Sequence, residues 1–207
     1  MRTLIIGDIH GCYRELSDLV EKFGPTDQDQ IYSVGDVINR GPESGKCIKL
    51  LKDLKAKVVM GNHEHWYLNS FPFSKKTKMN ESFRKLEIED HLRWMYELPY
   101  FIETDKFIIV HAGFDPRKMI QDNEKEELVS LRMLEDLDKP WFEEYNEKKH
   151  IYFGHWGKLG LYYGKNVTGL DTGCVYGKKL SGLIVEENKL IQIKAKKVYC
   201  PIKQEKR

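Results

Sequence analysis

The chain has 207 residues and a near-balanced charge, 34 Lys and Arg against 32 Asp and Glu, so its net +2 gives no general reason to expect a nucleic-acid polymer or a membrane as partner. No apolar run approaches the roughly 18 residues of a membrane span, and the N-terminus enters a strand pattern directly, so a cytoplasmic protein is expected. Its four cysteines, Cys12, Cys47, Cys174 and Cys200, lack C-x-x-C spacing and read as reduced thiols, with Cys12 a small packing residue rather than a soft ligand.

In chain order, Leu4-Ile5-Ile6 is an apolar strand that stops at Gly7-Asp8-Ile9-His10. Leu16, Leu19, Val20 and Phe23 recur at helical spacing through Tyr13 to Lys22, and Gly24-Pro25 stops that helix. Gln30 to Val34 reads as a second strand ending at Gly35-Asp36, followed by a loop and a helix at about Glu43 to Leu54. Lys57 to Met60 is a third strand, running through Gly61-Asn62-His63 into another helix. This alternation predicts parallel βαβ units. Pro72 to Met79, with Lys75, Lys76 and Lys78, reads as an exposed charged loop before a helix from about Glu81 to Glu97 that buries Phe83, Leu86, Leu92 and Met95, while Trp94 to Tyr96 read as helix packing. Tyr100 to Glu103 and Lys106 to Val110 form a hairpin ending at His111. A helical stretch from about Asn123 to Tyr145, broken at Pro140, leads to a strand, Ile151 to Phe153, that ends at Gly154-His155. Strands at Val167 to Leu170, Leu180 to Val185 and Leu190 to Ile193 complete the chain. The expectation is one domain over residues 1–195, with helical insertions at about 71–99 and 114–150 and a frayed polar tail at 196–207.

Five apolar runs thus end in a side chain able to hold a metal. A single Asp or His at a strand end is ordinarily a cap or a turn former, but repetition at the carboxyl ends of strands, where ligands bind in α/β sheets, favours a site. The set Asp8, His10, Asp36, Asn62, His111 and His155 contains only oxygen and nitrogen donors, suited to Mn, Fe or Zn. One bridging carboxylate, with Asp36 the candidate, could hold two cations roughly 3.5–4 Å apart for an in-line displacement. Glycines at 7, 35, 61 and 154 allow the backbone to approach closely. His65, His91 and His150 fit no such position and read as surface or helix residues.

These motifs, Gly7-Asp8-Ile9-His10-Gly11, Gly35-Asp36 through Asn39-Arg40-Gly41, Gly61-Asn62-His63-Glu64, His111-Ala112-Gly113 and Gly154-His155, resemble the ordered signature of the calcineurin-like metallophosphoesterases, in their phosphoprotein phosphatase branch. The resemblance spans residues 4 to about 185. It implies an α/β fold, a four-layer α/β/β/α sandwich. It also implies one metal held by Asp8, His10 and Asp36 and a second held by Asp36, Asn62, His111 and His155, with manganese the usual activating ion in bacterial members. It further implies that His63 is the general acid, that Arg40 grips the substrate phosphate, and that Arg132 is a second phosphate arginine, with Arg117 its rival. Protein phosphatases of this branch carry Asp where this chain has Asn39, which can accept a hydrogen bond from the imidazole but adds no charge. Symmetrical diadenosine tetraphosphate hydrolases also lack that Asp, and they resemble this chain at Gly154-His155-Trp156 and at Leu170-Asp171-Thr172-Gly173-Cys174-Val175-Tyr176-Gly177. Glu64 is the protein-phosphatase choice. The expected function is a two-metal hydrolase of phosphoric esters or anhydrides, leaning to a dinucleoside polyphosphate substrate. A phosphoprotein substrate is the alternative, and a non-catalytic phosphate-binding protein the remote one.

Overall fold

Strands that are apolar on both faces build two stacked sheets here. In the first, β1 (Thr3–Ile6), β2 (Gln30–Ser33) and β3 (Lys57–Val58) run parallel, connected through α1 (Tyr13–Phe23) and α2 (Ser44–Asp53). On the other side of β1, β11 (Lys179–Ile184) and β12 (Lys189–Lys194) continue the sheet antiparallel, in the order β12-β11-β1-β2-β3. In the second sheet, β5 (Phe107–Val110), β8 (His150–Phe153) and β10 (Val167–Gly169) are parallel. Its edges are the antiparallel strands β4 (Phe101–Glu103) and β9 (Tyr162–Gly164). The computed structural model describes residues 1–70 and 88–202, so the readings at Pro72 to Met79, Phe83 and Leu86 lie outside the described residues.

The two-residue period of the strands sorts side chains into three cores. Leu4 and Ile6 of β1 face Leu16 and Leu19 of α1 and Cys47 and Ile48 of α2. Ile5, between them, points the other way, into a layer shared by Tyr32 and Val59 of its own sheet and Phe107, Ile109 and Tyr152 of the second. Ile108 and Val110 face outward against Leu128, Trp141 and Phe142. The result is the four-layer sandwich, with helices outside both sheets. Burial of each such aliphatic side chain contributes about 1.5–3 kcal/mol. α1 ends where expected, because Gly24 takes a left-handed φ of 58° and its N–H donates to the carbonyl of Val20. Among the described residues no helix is long and apolar enough to cross a membrane.

Two expectations are corrected, one strand is added and one helix is described over part of its expected span. The helical stretch at 123–145 is instead α5 (Lys125–Ser130), a hairpin of β6 (Met133–Leu134) and β7 (Lys139–Pro140), and one turn of helix, α6 (Trp141–Glu144). Leu131 turns extended at ψ 128° and Asp138 reverses the chain at φ 47°, so that Trp141 is completely buried and its indole N–H reaches the carbonyl of Ala112. Burying that ring outweighs weak local helix propensity. The edge strand β9 carries no apolar alternation and was not expected. The helix at 81–97 is described as α4 (Ile88–Tyr96), with Met95 and His91 buried. Finally, residues 196–200 are not frayed. The N–H of Lys196 and the hydroxyl of Tyr199 both donate to Glu15 Oε1, at 2.7 and 2.8 Å, and the N–H groups of Tyr199 and Cys200 both donate to Val175 O.

Candidate metal centre

The carboxyl ends of β1, β2 and β3 and those of β5, β8 and β10 open toward one another, and each is followed within one to four residues by a polar side chain of the same cluster. The loops after β1 and β2 are zipped together by backbone bonds. The N–H groups of Ile9 and His10 donate to Asp36 O, that of Gly11 to Val37 O and that of Gly41 to His10 O. Within this framework His10, Asp36, Asn39, Arg40 and His155 adopt left-handed φ values of 47°, 48°, 71°, 67° and 63°. Such conformations cost about 1–3 kcal/mol each and persist only where surrounding bonds enforce them. Close approach explains two glycines: a Cβ on Gly154 would lie 2.0 Å from Asp8 Oδ1, and one on Gly61 would lie 2.4 Å from Asp36 Oδ1.

All six expected ligands converge. Carboxylate and imidazole atoms of Asp8, Asp36 and His111 lie within 4.8 Å of one another, as do those of His10, Asp36 and His63. Asn62 Oδ1 is 3.0 Å from His111 Nε2 and 2.9 Å from His155 Nδ1, and the backbone N–H of His155 donates to both oxygens of Asp8. His111 Nδ1 faces the carbonyl of Val34 at 2.7 Å and His10 Nδ1 that of Ile38 at 3.2 Å. A carbonyl only accepts, so in both rings Nδ1 carries the proton and Nε2 presents a lone pair to the cluster. The His111 lone pair therefore meets two acceptors, Asn62 Oδ1 and, at 3.5 Å, Asp36 Oδ1. A cation reconciles that arrangement.

The electrostatics agree. Burial pushes the Asp36 carboxyl up to about 7, and burial together with Asp171 and Asp36 pushes Asp8 well above the carboxylate range. Burial lowers the imidazoles of His10 and His111 and takes His155 to about 2, which keeps all three neutral, as ligands must be. Crowded buried carboxylates beside neutral imidazoles, with no thiolate among them, suit a pair of divalent cations.

His63 stands at the edge of this cluster, its ring 4.8 Å from that of His10, and its backbone N–H donates to Asp36 Oδ1 at 2.9 Å. The expected role of Asn39 as acceptor is corrected: Asn39 Oδ1 already accepts the backbone N–H of Arg40 at 2.7 Å, so its Nδ2 donates to His63 Nδ1 at 2.9 Å. That donor leaves the His63 proton on Nε2 and opposes a second one. Burial, then Arg40 and His111, push the imidazole down to about 3. Arg40 reaches His10 Nε2 at 3.0 Å and lies over the Tyr176 ring at 5.3 Å. Arg132 donates to His155 O at 3.1 Å. Its rival Arg117 is held away in a fork to Asp115 and Asp136 at 2.7 and 2.5 Å.

Two residues that the motifs contain, but to which the sequence reading gave no role at the site, also contribute. Asp171 is buried beside Asp8, its Oδ1 accepting the N–H of Gly173, and it follows β10 in the same way that Asp8 follows β1. The apolar run Val167 to Leu170 ending in a carboxylate was the signal for it. Glu64, completely buried, accepts the N–H groups of Asp36, Ile38 and Gly61 at 3.0, 3.0 and 3.1 Å, clamping the loop after β2 to the start of α3 (Asn62–Ser70). Of the histidines set aside, His65 lies in α3 against the Tyr100 hydroxyl, His91 is buried in α4, and His150 opens β8 and bonds Thr168. Cys12 belongs to a separate buried group with Glu15 and Cys174.

Two recesses meet at Asn62. One, of about 690 Å³, is lined by Asp8, Asp36, His155 and Asp171 together with Arg40 and Arg132. The other, of about 470 Å³, is lined by His63, Asn39, His65 and Trp66.

Comparison with known proteins gives a consistent picture. The sequence profile of the calcineurin-like phosphoesterases matches residues 1–203. A protein of Vibrio parahaemolyticus named symmetrical bis(5'-nucleosyl)-tetraphosphatase is 30% identical, over 92% of this chain and 97% of its own length. One of the same name from Pasteurella multocida is 27% identical over 96% and 99%. A crystal structure provisionally named a diadenosine tetraphosphatase superposes with a TM-score of 0.84 at 28% identity, covering 94% of this chain and 93% of that one. A serine/threonine phosphatase from Saccharomyces cerevisiae shares the fold, with a TM-score of 0.67 at 14% identity over 99% and 81%.

Proposed function

The chain belongs to the calcineurin-like phosphoesterases, metal-dependent hydrolases with a dinuclear divalent centre, and within that family we propose that it cleaves symmetrical dinucleoside tetraphosphates such as diadenosine tetraphosphate into two nucleoside diphosphates. Asp8, His10 and Asp36 would hold one cation and Asp36, Asn62, His111 and His155 the other, with manganese the proposed ion. When bound, the pair supplies Lewis acidity and an acidified water at the reacting phosphorus. Arg40 and Arg132 offer planar forks to the non-bridging phosphoryl oxygens and offset charge that builds on them during displacement. His63 holds its Nε2 proton toward the departing oxygen.

The observation that carries the choice of substrate is the 2.9 Å contact in which Asn39 Nδ2 donates to His63 Nδ1. A partner that donates to Nδ1 disfavours the imidazolium, and burial holds His63 at about 3, so near neutral pH it offers only a hydrogen bond. An alkoxide leaving from a serine or threonine ester needs a full proton. A nucleoside diphosphate leaves as a stable anion and needs only that hydrogen bond. The names borne by the most similar relatives support the same reading.

The test is a side-by-side assay of Mn-loaded enzyme on diadenosine tetraphosphate and on a panel of phosphopeptides, with products separated by chromatography. ADP as the only nucleotide product is expected. Phosphate released from peptides with the tetraphosphate untouched would overturn the reading in favour of a protein phosphatase.

A further inference from the structure

The two recesses that meet at Asn62 differ sharply in charge. Besides Arg40 and Arg132, the larger gathers Lys158 and Lys178, and its walls include the rings of Trp156 and Tyr176. Among the described residues no lysine or arginine lines the smaller and Glu126 is the one carboxylate there, and Trp66 is 51% exposed at its wall. Lys158 and Lys178 are exposed, and among the described residues neither makes an ion pair.

Their placement follows from local structure. Lys158 sits in a tight loop immediately after His155, closed by bonds from Trp156 N–H to Gly154 O and from Leu159 N–H to Trp156 O. Lys178 follows a helical turn, Cys174–Tyr176, held between left-handed Gly173 and Gly177. Both loops descend from strand ends of the candidate metal centre, so the two free ammonium groups border the same recess as the cluster's carboxylates. Free cations over a pocket that already carries two arginines suit a polyanion longer than one phosphoryl group.

His63 lines the smaller recess and not the larger one. A group that donates a hydrogen bond to the departing oxygen must face the side toward which that oxygen departs. We infer that a dinucleoside tetraphosphate binds with a fixed polarity: the attacked half lies in the larger recess with its outer phosphate against Lys158 and Lys178, and the leaving half departs across Trp66. This rests on the tetraphosphatase reading. In the step itself, water oxygen bonds to the attacked inner phosphorus, the bond from that phosphorus to the central bridging oxygen breaks with its electron pair staying on the departing diphosphate, and the proton of the water is released to solvent. Both halves leave as nucleoside diphosphates. Among the described residues the smaller recess supplies no cation, and the exposed indole gives the leaving half a stacking surface that tolerates any base.

Two substrates separate the recesses: diadenosine tetraphosphate, and the β-(4-nitrophenyl) ester of ADP, which keeps the attacked half and replaces the leaving half by nitrophenol. A Lys158→Glu/Lys178→Glu double variant should raise KM about tenfold or more on both substrates, well beyond any change on 4-nitrophenyl phosphate, and weaken ADP binding in calorimetry by a similar factor. Trp66→Ala should raise KM about fivefold or more on the tetraphosphate only. Glutamine variants at 158 and 178 should show the same order with smaller effects. If the wild type splits the tetraphosphate but Trp66→Ala impairs the ADP ester as much as the tetraphosphate, or the lysine variants bind ADP normally, the polarity is wrong. If the wild type leaves the tetraphosphate intact, the tetraphosphatase reading itself fails.

Discussion

Gly154→Ala puts one methyl group where the structure has no room for it. The added Cβ would stand 2.0 Å from Asp8 Oδ1 and 2.7 Å from Val34 Cγ2. Asp8 is 4% exposed and Val34 completely buried, so neither can swing into solvent. Restoring an ordinary contact of a little over 3 Å requires Asp8 or the backbone at 154 to shift by about 1 Å. The shift also breaks the bonds from His155 N–H to Asp8 at 3.1 and 3.2 Å, so it moves two proposed ligands together. Overpacking of this kind costs about 1–3 kcal/mol. In a chain of this size that lowers the melting temperature by about 2–12 °C. The effect on turnover should be larger, because a displacement of about 1 Å at reacting groups can cost about 100-fold. Differential scanning fluorimetry with and without Mn, and kcat/KM on diadenosine tetraphosphate, read both numbers. A variant that melts within about 1 °C of wild type and turns over within about threefold of it would refute the packing argument.

Asn39→Asp replaces a donor by a carboxylate at His63 Nδ1, so the ring should gain its second proton more readily and its pKa should rise by about 1–3 units. The descending, alkaline limb of the kcat/KM profile on alkyl phosphates should move to higher pH, and their turnover should improve relative to the tetraphosphate; an unmoved limb contradicts the Asn39–His63 geometry. The metal-free protein should lose stability as pH rises above about 7, because below that the histidines that burial holds neutral are still taking protons in the unfolded chain and act in the opposite sense. Asp36 and Glu64 titrate near 7 when folded, because of burial, and near 4 when unfolded, so across that interval the native state binds protons that the unfolded chain has released. Since cations compete with those protons, the stabilisation by Mn should be greater at about pH 8 than at about pH 6. Thermal midpoints of chelator-treated protein that climb steadily above about pH 7 would contradict the signs assigned here.

Strand ends were legible because each repeats the same local grammar, an apolar run into a donor, in four of the five through a glycine, and because a strand buried on both faces has one reading only. Leu4 to His10 shows this most plainly. Asp171 obeys the same rule, but its strand is three residues long and contains Thr168 and Gly169, which weaken the apolar signal. The segment 123–145 failed for another reason: Glu124 to Ser130 is helical by its own capping box, yet the chain from Leu131 onward is shaped by Trp141 reaching Ala112 across the second sheet, a contact that no local window contains. Asn39 was legible as a departure in chemistry but not in direction. Whether its amide donates or accepts depends on Arg40 N–H claiming the oxygen. The tail looked frayed because its anchors, Glu15 and Val175, are remote in sequence.

The central claim is a two-cation site joined by Asp36, and counting bound metal tests it most directly. Chelator-treated protein reloaded with Mn, desalted and analysed by mass spectrometry should retain two ions per chain, and Asp36→Asn should retain fewer than two, with Trp66→Ala as a folded control outside the ligand set. Two ions kept by Asp36→Asn, or none kept by the wild type, would contradict the account.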